Sequence, residues 1–279
     1  HNVLRLYCRS GVRLMSNGAL RLLAVSGAKA DPVYVDDVFS TFLYDGNRST
    51  QTITNDIDLS GEGGLVWLKC RNQSTQGHLL MDSARNSFGN RLSSASGDAQ
   101  TTDAVITATS STGFTLGNKA YSNGSGDNYT SWSFRKQKGF FDVVTFTETG
   151  SDLTLNHKLG CMPGMIIFKR TNGTGAWWTY HSSLVGNASN GSDEYMRLNG
   201  TNTAGYDAQW GTITDSTFTF KPGFIGAGSG AEWVAYLFGG GTSTASTARS
   251  VDFDGSGDYL LTSSSSDFTF GTNDFTIEH

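Results

Sequence analysis

Proline and cysteine are nearly missing from this chain, with three of each in 279 residues. Cys8, Cys70 and Cys161 are odd in number and show no CxxC spacing, which argues against a disulfide framework and against a zinc site. Folding in a reducing cytoplasm fits that use of thiols. A basic surplus is missing too: 20 Lys plus Arg stand against 25 Asp plus Glu, a net charge of −5. Nothing here draws a phosphate backbone, so no nucleic-acid partner is expected. No apolar run reaches the roughly 18 residues that a membrane-spanning helix needs. Helix-forming composition is confined to the short stretch Met15–Ala24. There is no GxSxG elbow, HExxH, P-loop or GxGxxG. The glutamates Glu62, Glu148, Glu194, Glu232 and Glu278 are scattered, whereas glycosidases need two carboxylates about 5 to 9.5 Å apart. His181 beside Ser182 is read as capping a strand, not as part of a triad. The chain is expected to be non-enzymatic.

What is abundant is glycine, at 35 residues, with Ser, Thr and Asn crowded between short apolar runs. That composition predicts an all-β chain of short strands and tight turns. The pattern also repeats. Gly64-Leu65-Val66-Trp67-Leu68-Lys69 returns as Gly164-Met165-Ile166-Ile167-Phe168-Lys169, 100 positions on. Phe114-Thr115-Leu116 returns as Phe218-Thr219-Phe220, and Tyr129, Trp132 and Phe134 return as Trp233, Tyr236 and Phe238, all at an offset of 104. A register kept across separate segments marks an internal duplication.

The reading that follows is two tandem antiparallel β-sandwich repeats, residues 37–139 and 140–241. Ahead of them lies an N-terminal docking or leader segment, 1–36, short and in part helical. Its rival reading is a secretory signal ending at Ala28-Lys29-Ala30. A flexible linker, 242–250, leads to residues 251–279, the first strands of a third unit that the chain cuts short. Four consecutive large apolar residues leave β-strands 65–68 and 165–168 no polar face, so both are expected to be central and covered on two sides. Asn172-Gly173 predicts a tight hairpin turn with positive φ. Residues 83–103 and 182–206 read as long loops. In Ser131-Trp132-Ser133-Phe134 the serines are expected to face out and the aromatics in, and Phe218 and Phe220 to share one face. Only Gln137-Lys138-Gly139 separate the copies, so they must sit close together, and the modules together are expected to form an elongated rod.

Val35 to Tyr44, Gly63 to Lys69, Thr130 to Lys136 and Pro163 to Ile167 resemble a family of tailed-phage proteins common in marine and cyanobacterial phages. The match runs over about residues 31 to 241, by the extent of the repeat. Phe253-Asp254-Gly255 to Asp258-Tyr259-Leu260 resembles the first hairpin of a laminin-G or concanavalin A-like jelly roll. The resemblance implies a virion structural protein of the tail-fibre or receptor-binding kind, made in the host bacterial cytoplasm. It implies lectin-like modules shown to the host surface, contacts to other virion proteins through the N-terminal segment, and a homotrimer. A capsid-attached head fibre or decoration protein, and a depolymerase that cleaves surface polysaccharide, are the alternatives. The residues themselves nominate Trp177, Trp178, Tyr180 and Trp210 as rings that could stack on a host glycan or a partner, with core packing as the competing role. Adjacent Trp177 and Trp178 must point to opposite faces. Asp252, Asp254 and Asp258 have a spacing that could offer oxygens to Ca²⁺, against the simpler reading of an Asp-Gly turn. No other cofactor is expected.

Overall fold

Of β3 (Gly64–Cys70), only Trp67 and Lys69 are not fully buried, and its counterpart β12 (Pro163–Arg170) is buried from Ile166 to Lys169. Strands without a polar face need cover on both sides, and the computed structural model shows what covers them. It describes residues 33–186, 193–201 and 204–240. The leader as far as residue 32, the linker 242–250 and the lectin-like start 251–279, with Asp252, Asp254 and Asp258, lie outside the described residues.

The first copy runs β1 (Phe39–Asp45), β2 (Gln51–Thr54), β3, β4 (Leu79–Asp82), β5 (Asn90–Ser93), β6 (Thr101–Thr102), β7 (Ile106–Ser110), β8 (Gly113–Leu116), α1 (Ala120–Asn123) and β9 (Asn128–Arg135). The second runs β10 (Phe141–Thr147), β11 (Leu153–Asn156), β12, β13 (Trp177–His181), β14 (Asp193–Arg197), β15 (Gly205–Ala208), β16 (Thr217–Phe220), α2 (Pro222–Ile225) and β17 (Glu232–Gly239). Each copy builds one six-stranded sheet, in the orders β1-β9-β3-β4-β5-β6 and β10-β17-β12-β13-β14-β15. These orders match strand for strand. Each copy also builds a small sheet, β2-β8-β7 in the first and β11-β16 in the second. All pairings are antiparallel. The chain is an all-β sandwich fold. Among the described residues no helix is long and apolar enough to cross a membrane.

Three cores result. Val66, Leu68 and Met81 face their own small sheet, against Ile53 and Phe114. Ile166 and Phe168 do the same in the second copy, against Phe218 and Phe220. The third core lies between the large sheets, where Leu65, Leu80 and Leu92 meet Val143, Trp177 and Tyr236. Burying each such leucine is worth about 1.5–3 kcal/mol relative to leaving it in water. The two sandwiches are therefore stacked sheet against sheet, not strung end to end as a rod of modules would be. The connection is pinned as well: Gln137 N–H donates to Phe141 O (3.0 Å) and Gly139 N–H to Leu159 O (2.7 Å).

Several local expectations change. Ser131 and Ser133 are fully buried and face the small-sheet core, while Trp132 and Phe134 point the other way. Small side chains fit there because Val66 and Leu68 fill that face. Their hydroxyls are satisfied by Phe42 O (3.5 Å) and by Asn55 Nδ2–H (2.8 Å). Phe218 and Phe220 do share a buried face. The presumed long loops carry β5, β6, β14 and β15, which widen the large sheets. The Asn172 hairpin exists, joining β12 to β13, but neither Asn172 nor Gly173 has positive φ. The Asn172 amide is instead tied sideways, donating to Gly230 O (3.0 Å) and accepting from Glu232 N–H (3.1 Å). The loop takes its shape from that neighbour, not from an intrinsic turn preference.

The seam also holds a buried polar network. Asp82 and Arg85 form an ion pair at 2.6 Å, with side chains 0% and 3% exposed, and the Tyr236 hydroxyl of the other copy donates to Asp82 Oδ2 (2.8 Å). Arg85 further donates to Leu80 O (3.2 Å), Gln100 Oε1 (3.1 Å) and the Tyr236 oxygen (3.1 Å). Removing one member of such a set leaves an uncompensated buried charge. Arg85→Ala is expected to cost on the order of 3–5 kcal/mol in urea unfolding. Tyr236→Phe should cost about 1–3 kcal/mol. A loss under about 1 kcal/mol for Arg85→Ala, the range of an exposed pair, would mean the network does not hold the seam.

Candidate functional site

The four aromatic residues singled out in the sequence divide into two fates. Trp177 and Trp178 do point to opposite faces of β13. Trp177 is 0% exposed, and its indole N–H donates to Ser93 O (3.1 Å) and Ser96 O (2.9 Å) of the first copy. Tyr180 is buried in the second core. Neither offers a ring face to a sugar. Trp178 and Trp210 are half-buried and are brought together by Phe224, whose ring lies 5.2 Å from one and 5.4 Å from the other. Arg197 lays its guanidinium over Trp178 at 4.6 Å, a cation–π contact. The Trp210 N–H donates to Glu194 O (2.9 Å). Beside this cluster is a pocket of about 340 Å³ lined by Tyr195, Arg197 and Asn199. Gly205, also on its lining, makes room for the Tyr195 ring: a Cβ there would sit 2.2 Å from it. A ring edge, a guanidinium and an amide suit a polar ligand such as a sugar or a carboxylate.

A second aromatic group was not singled out. Trp67, His78 and Trp132 lie half-buried on the outward part of the first large sheet. The Trp67 N–H donates to His78 Nδ1 (2.9 Å), the Trp rings meet edge to face at 6.3 Å, and His78 lies parallel to Trp132 at 6.2 Å. Partial burial, and after it the Lys69 charge, hold the His78 pKa below its usual value. Leu43, 58% exposed, is on the same face. Alternation put Trp132 and Ser131 on opposite faces but assigned the faces the wrong way round. It could not tell that the second copy covers only part of that face.

A third feature is an open cleft of about 770 Å³ at the junction of the copies, where Arg135, Lys136, Lys138 and Lys158 gather with Glu62 and Asp142. Asp142 is fully engaged. Its Oδ2 accepts from Lys158 N–H (2.7 Å), while Oδ1 accepts from Val143 N–H (2.9 Å) and faces Lys136 Nζ (3.5 Å). His181 accepts from Ser183 N–H through Nδ1 (3.1 Å) and so caps the short turn that ends β13. Among the described residues no group of three or more His, Cys, Asp or Glu could hold a metal ion. The three carboxylates proposed for Ca²⁺ are outside those residues.

The repeated lysines have different jobs. Lys69 Nζ donates to the Gln73 and Gln76 carbonyls of its own hairpin. Lys169 Nζ crosses the seam to Gly97 O (3.1 Å) and also donates to Arg170 O (2.6 Å). Burial pulls its pKa down from 10.5 to about 8, against the pull of the Asp98 carboxylate.

Over residues 35–258 the chain matches the model of a family described as a domain of unknown function (DUF7483), and it belongs to that family. No curated protein and no solved structure matches it.

The Lys169 position generates a pH dependence. Folded, the group gives up its proton near pH 8, whereas an unfolded lysine keeps it to about 10.4. Between those values the unfolded chain binds more protons, so stability rises with pH, by up to about 3 kcal/mol. Thermal melts between pH 8 and 10 should show the wild type gaining on Lys169→Met. Parallel profiles would mean that the amine is not desolvated in the folded chain.

Proposed function

We propose that this chain is a non-enzymatic structural module of a bacteriophage particle, of the tail-fibre or receptor-binding kind. It holds a lectin-like unit, beginning near residue 251, away from the particle and toward a host-surface glycan. What supports the reading is the lock between the two sandwiches. A third apolar core, the Asp82–Arg85–Tyr236 network and a hydrogen-bonded connection join them, so the Gln137–Gly139 segment cannot act as a hinge. A spacer has to transmit position, and a seam of this kind resists bending. The pocket beside Trp178 and Tyr195 is a secondary place where a host sugar could rest.

Antibody raised against residues 37–241, applied to intact particles under the electron microscope, is the direct test. Label on tails or fibres is the expected result. Label on capsids alone would make the chain a head fibre or decoration protein. Cleavage of host polysaccharide by the purified chain would replace the reading with a depolymerase.

A further inference from the structure

The open cleft of about 770 Å³ at the junction of the copies carries a charge opposite to the chain's own. Its lining holds four cations, Arg135, Lys136, Lys138 and Lys158, against three carboxylates, Glu62, Asp142 and Asp215. The chain as a whole has a net charge of −5. Asp142 offsets little of that local surplus, because two backbone N–H groups and Lys136 already surround it. His157 offers the cleft no hydrogen bond: its Nδ1 accepts from Leu159 N–H (3.2 Å), and its Nε2 faces Thr214 O (3.4 Å).

The cations are held in place by the fold. Arg135 ends β9 and donates its backbone N–H to Val38 O (2.8 Å). Among the described residues its guanidinium makes no ion pair and no hydrogen bond, although its Nε is buried. Of the influences that hold the Asp58 carboxyl low, the Gly61 N–H is the largest and the Arg135 charge the smallest. A buried donor without a partner is costly and uncommon in folded chains. Lys158 gives its backbone N–H to buried Asp142, which fixes the turn between β11 and β12. Lys138 lies along Gly160, where a Cβ would come within 3.1 Å of the lysine Cε. Gly160 also has a φ of +66°, in the left-handed region that favours glycine. Glycine there both makes the turn and gives the lysine stem its bed. Lys138 and Lys158 are exposed, and neither makes an ion pair among the described residues.

We propose that this cleft binds an acidic saccharide, with the Arg135 guanidinium on a sugar carboxylate and Lys138 and Lys158 on neighbouring acid groups. A guanidinium fork matches the two oxygens of a carboxylate. The volume falls within the range of sites that enclose a small organic ligand. Glu62 and Asp215, both exposed on the lining, discriminate between polyanions. They repel a continuous phosphate chain, whereas a sugar can give them its hydroxyl hydrogens. A chain of uronic acids separates its charges with such hydroxyls. The inference specifies an acidic glycan for the surface recognition proposed above, but it rests on the cleft alone. Its failure leaves the placement in a particle untouched.

Calorimetric titration of the whole chain with trigalacturonate tests it, with neutral galactotriose as the comparison. The acidic trisaccharide should bind tighter than the neutral one by roughly tenfold or more. Lys138→Gln and Lys158→Gln should each weaken it about tenfold, the worth of one charge-assisted hydrogen bond. Lys221→Gln removes the same charge outside the cleft and should leave the affinity unchanged. Unchanged melting temperatures would show that the variants fold. No binding of trigalacturonate, or equal affinity for galactotriose, overturns the inference. An equal loss in all three variants also overturns it, since diffuse charge would then be the attraction. So does tripolyphosphate bound more tightly than trigalacturonate, which would make the cleft a phosphate site.

Discussion

A β-strand that is apolar on both faces has to be covered twice, and this requirement shapes the molecule. In β3, Leu65 points one way and Val66 the other; in β12, Ile167 and Ile166 do the same. A single sandwich covers one face of its central strand and leaves the second to water. Here the uncovered faces are laid on each other, and the duplication supplies both partners. Neither copy has that face finished by itself. The shared core between the large sheets is thus part of what each copy needs in order to be stable, rather than a later contact between two finished domains.

Apolar burial alone would let the sheets slide, since it is not directional. The polar groups at the seam remove that freedom. Asp82, Arg85 and Tyr236 can satisfy one another at one offset of the sheets only. The same offset lets Trp177 reach the Ser93 and Ser96 carbonyls, and lets Gly175 N–H bond to Gly97 O at 2.8 Å. The burial of an ion pair is costly and gives little net stability. Its effect here is to select one register from many that apolar contact would accept.

The sequence carried the strands and their duplication well, because both live in short-range pattern. The Gly64 and Gly164 runs, the Phe218–Phe220 alternation and the opposed Trp177 and Trp178 all follow from a period of two. Direction was harder. Small serines at 131 and 133 read as solvent-facing, yet they are buried because Val66 and Leu68 already fill that layer. Size fitting between neighbouring strands is information that no single segment holds. The sites were least legible for the same reason. Trp177 opens β13 and Trp132 lies in the middle of β9, and only the offset of two sheets decides which is sealed and which is half-open.

That offset also explains how the two copies diverged. Position 177 carries a tryptophan whose N–H finds two carbonyls of the other copy; the matched position 78 carries a histidine that accepts from Trp67 within its own sheet. Position 236 is a tyrosine bonded to Asp82, and its match is Trp132, which has no charge to meet. The lysines follow suit: Lys169 crosses the seam, while Lys69 serves its own hairpin. In each pair the second-copy residue gained a partner supplied by the first copy. The first-copy residues have no such partner: His78 and Trp132 present aromatic rings, and Lys69 stays within its own hairpin. A face open to water for good would favour polar residues at those positions, since a broad apolar patch invites association. Aromatic rings kept at Trp67 and Trp132 mean that this sheet face retains the chemistry of a packing surface.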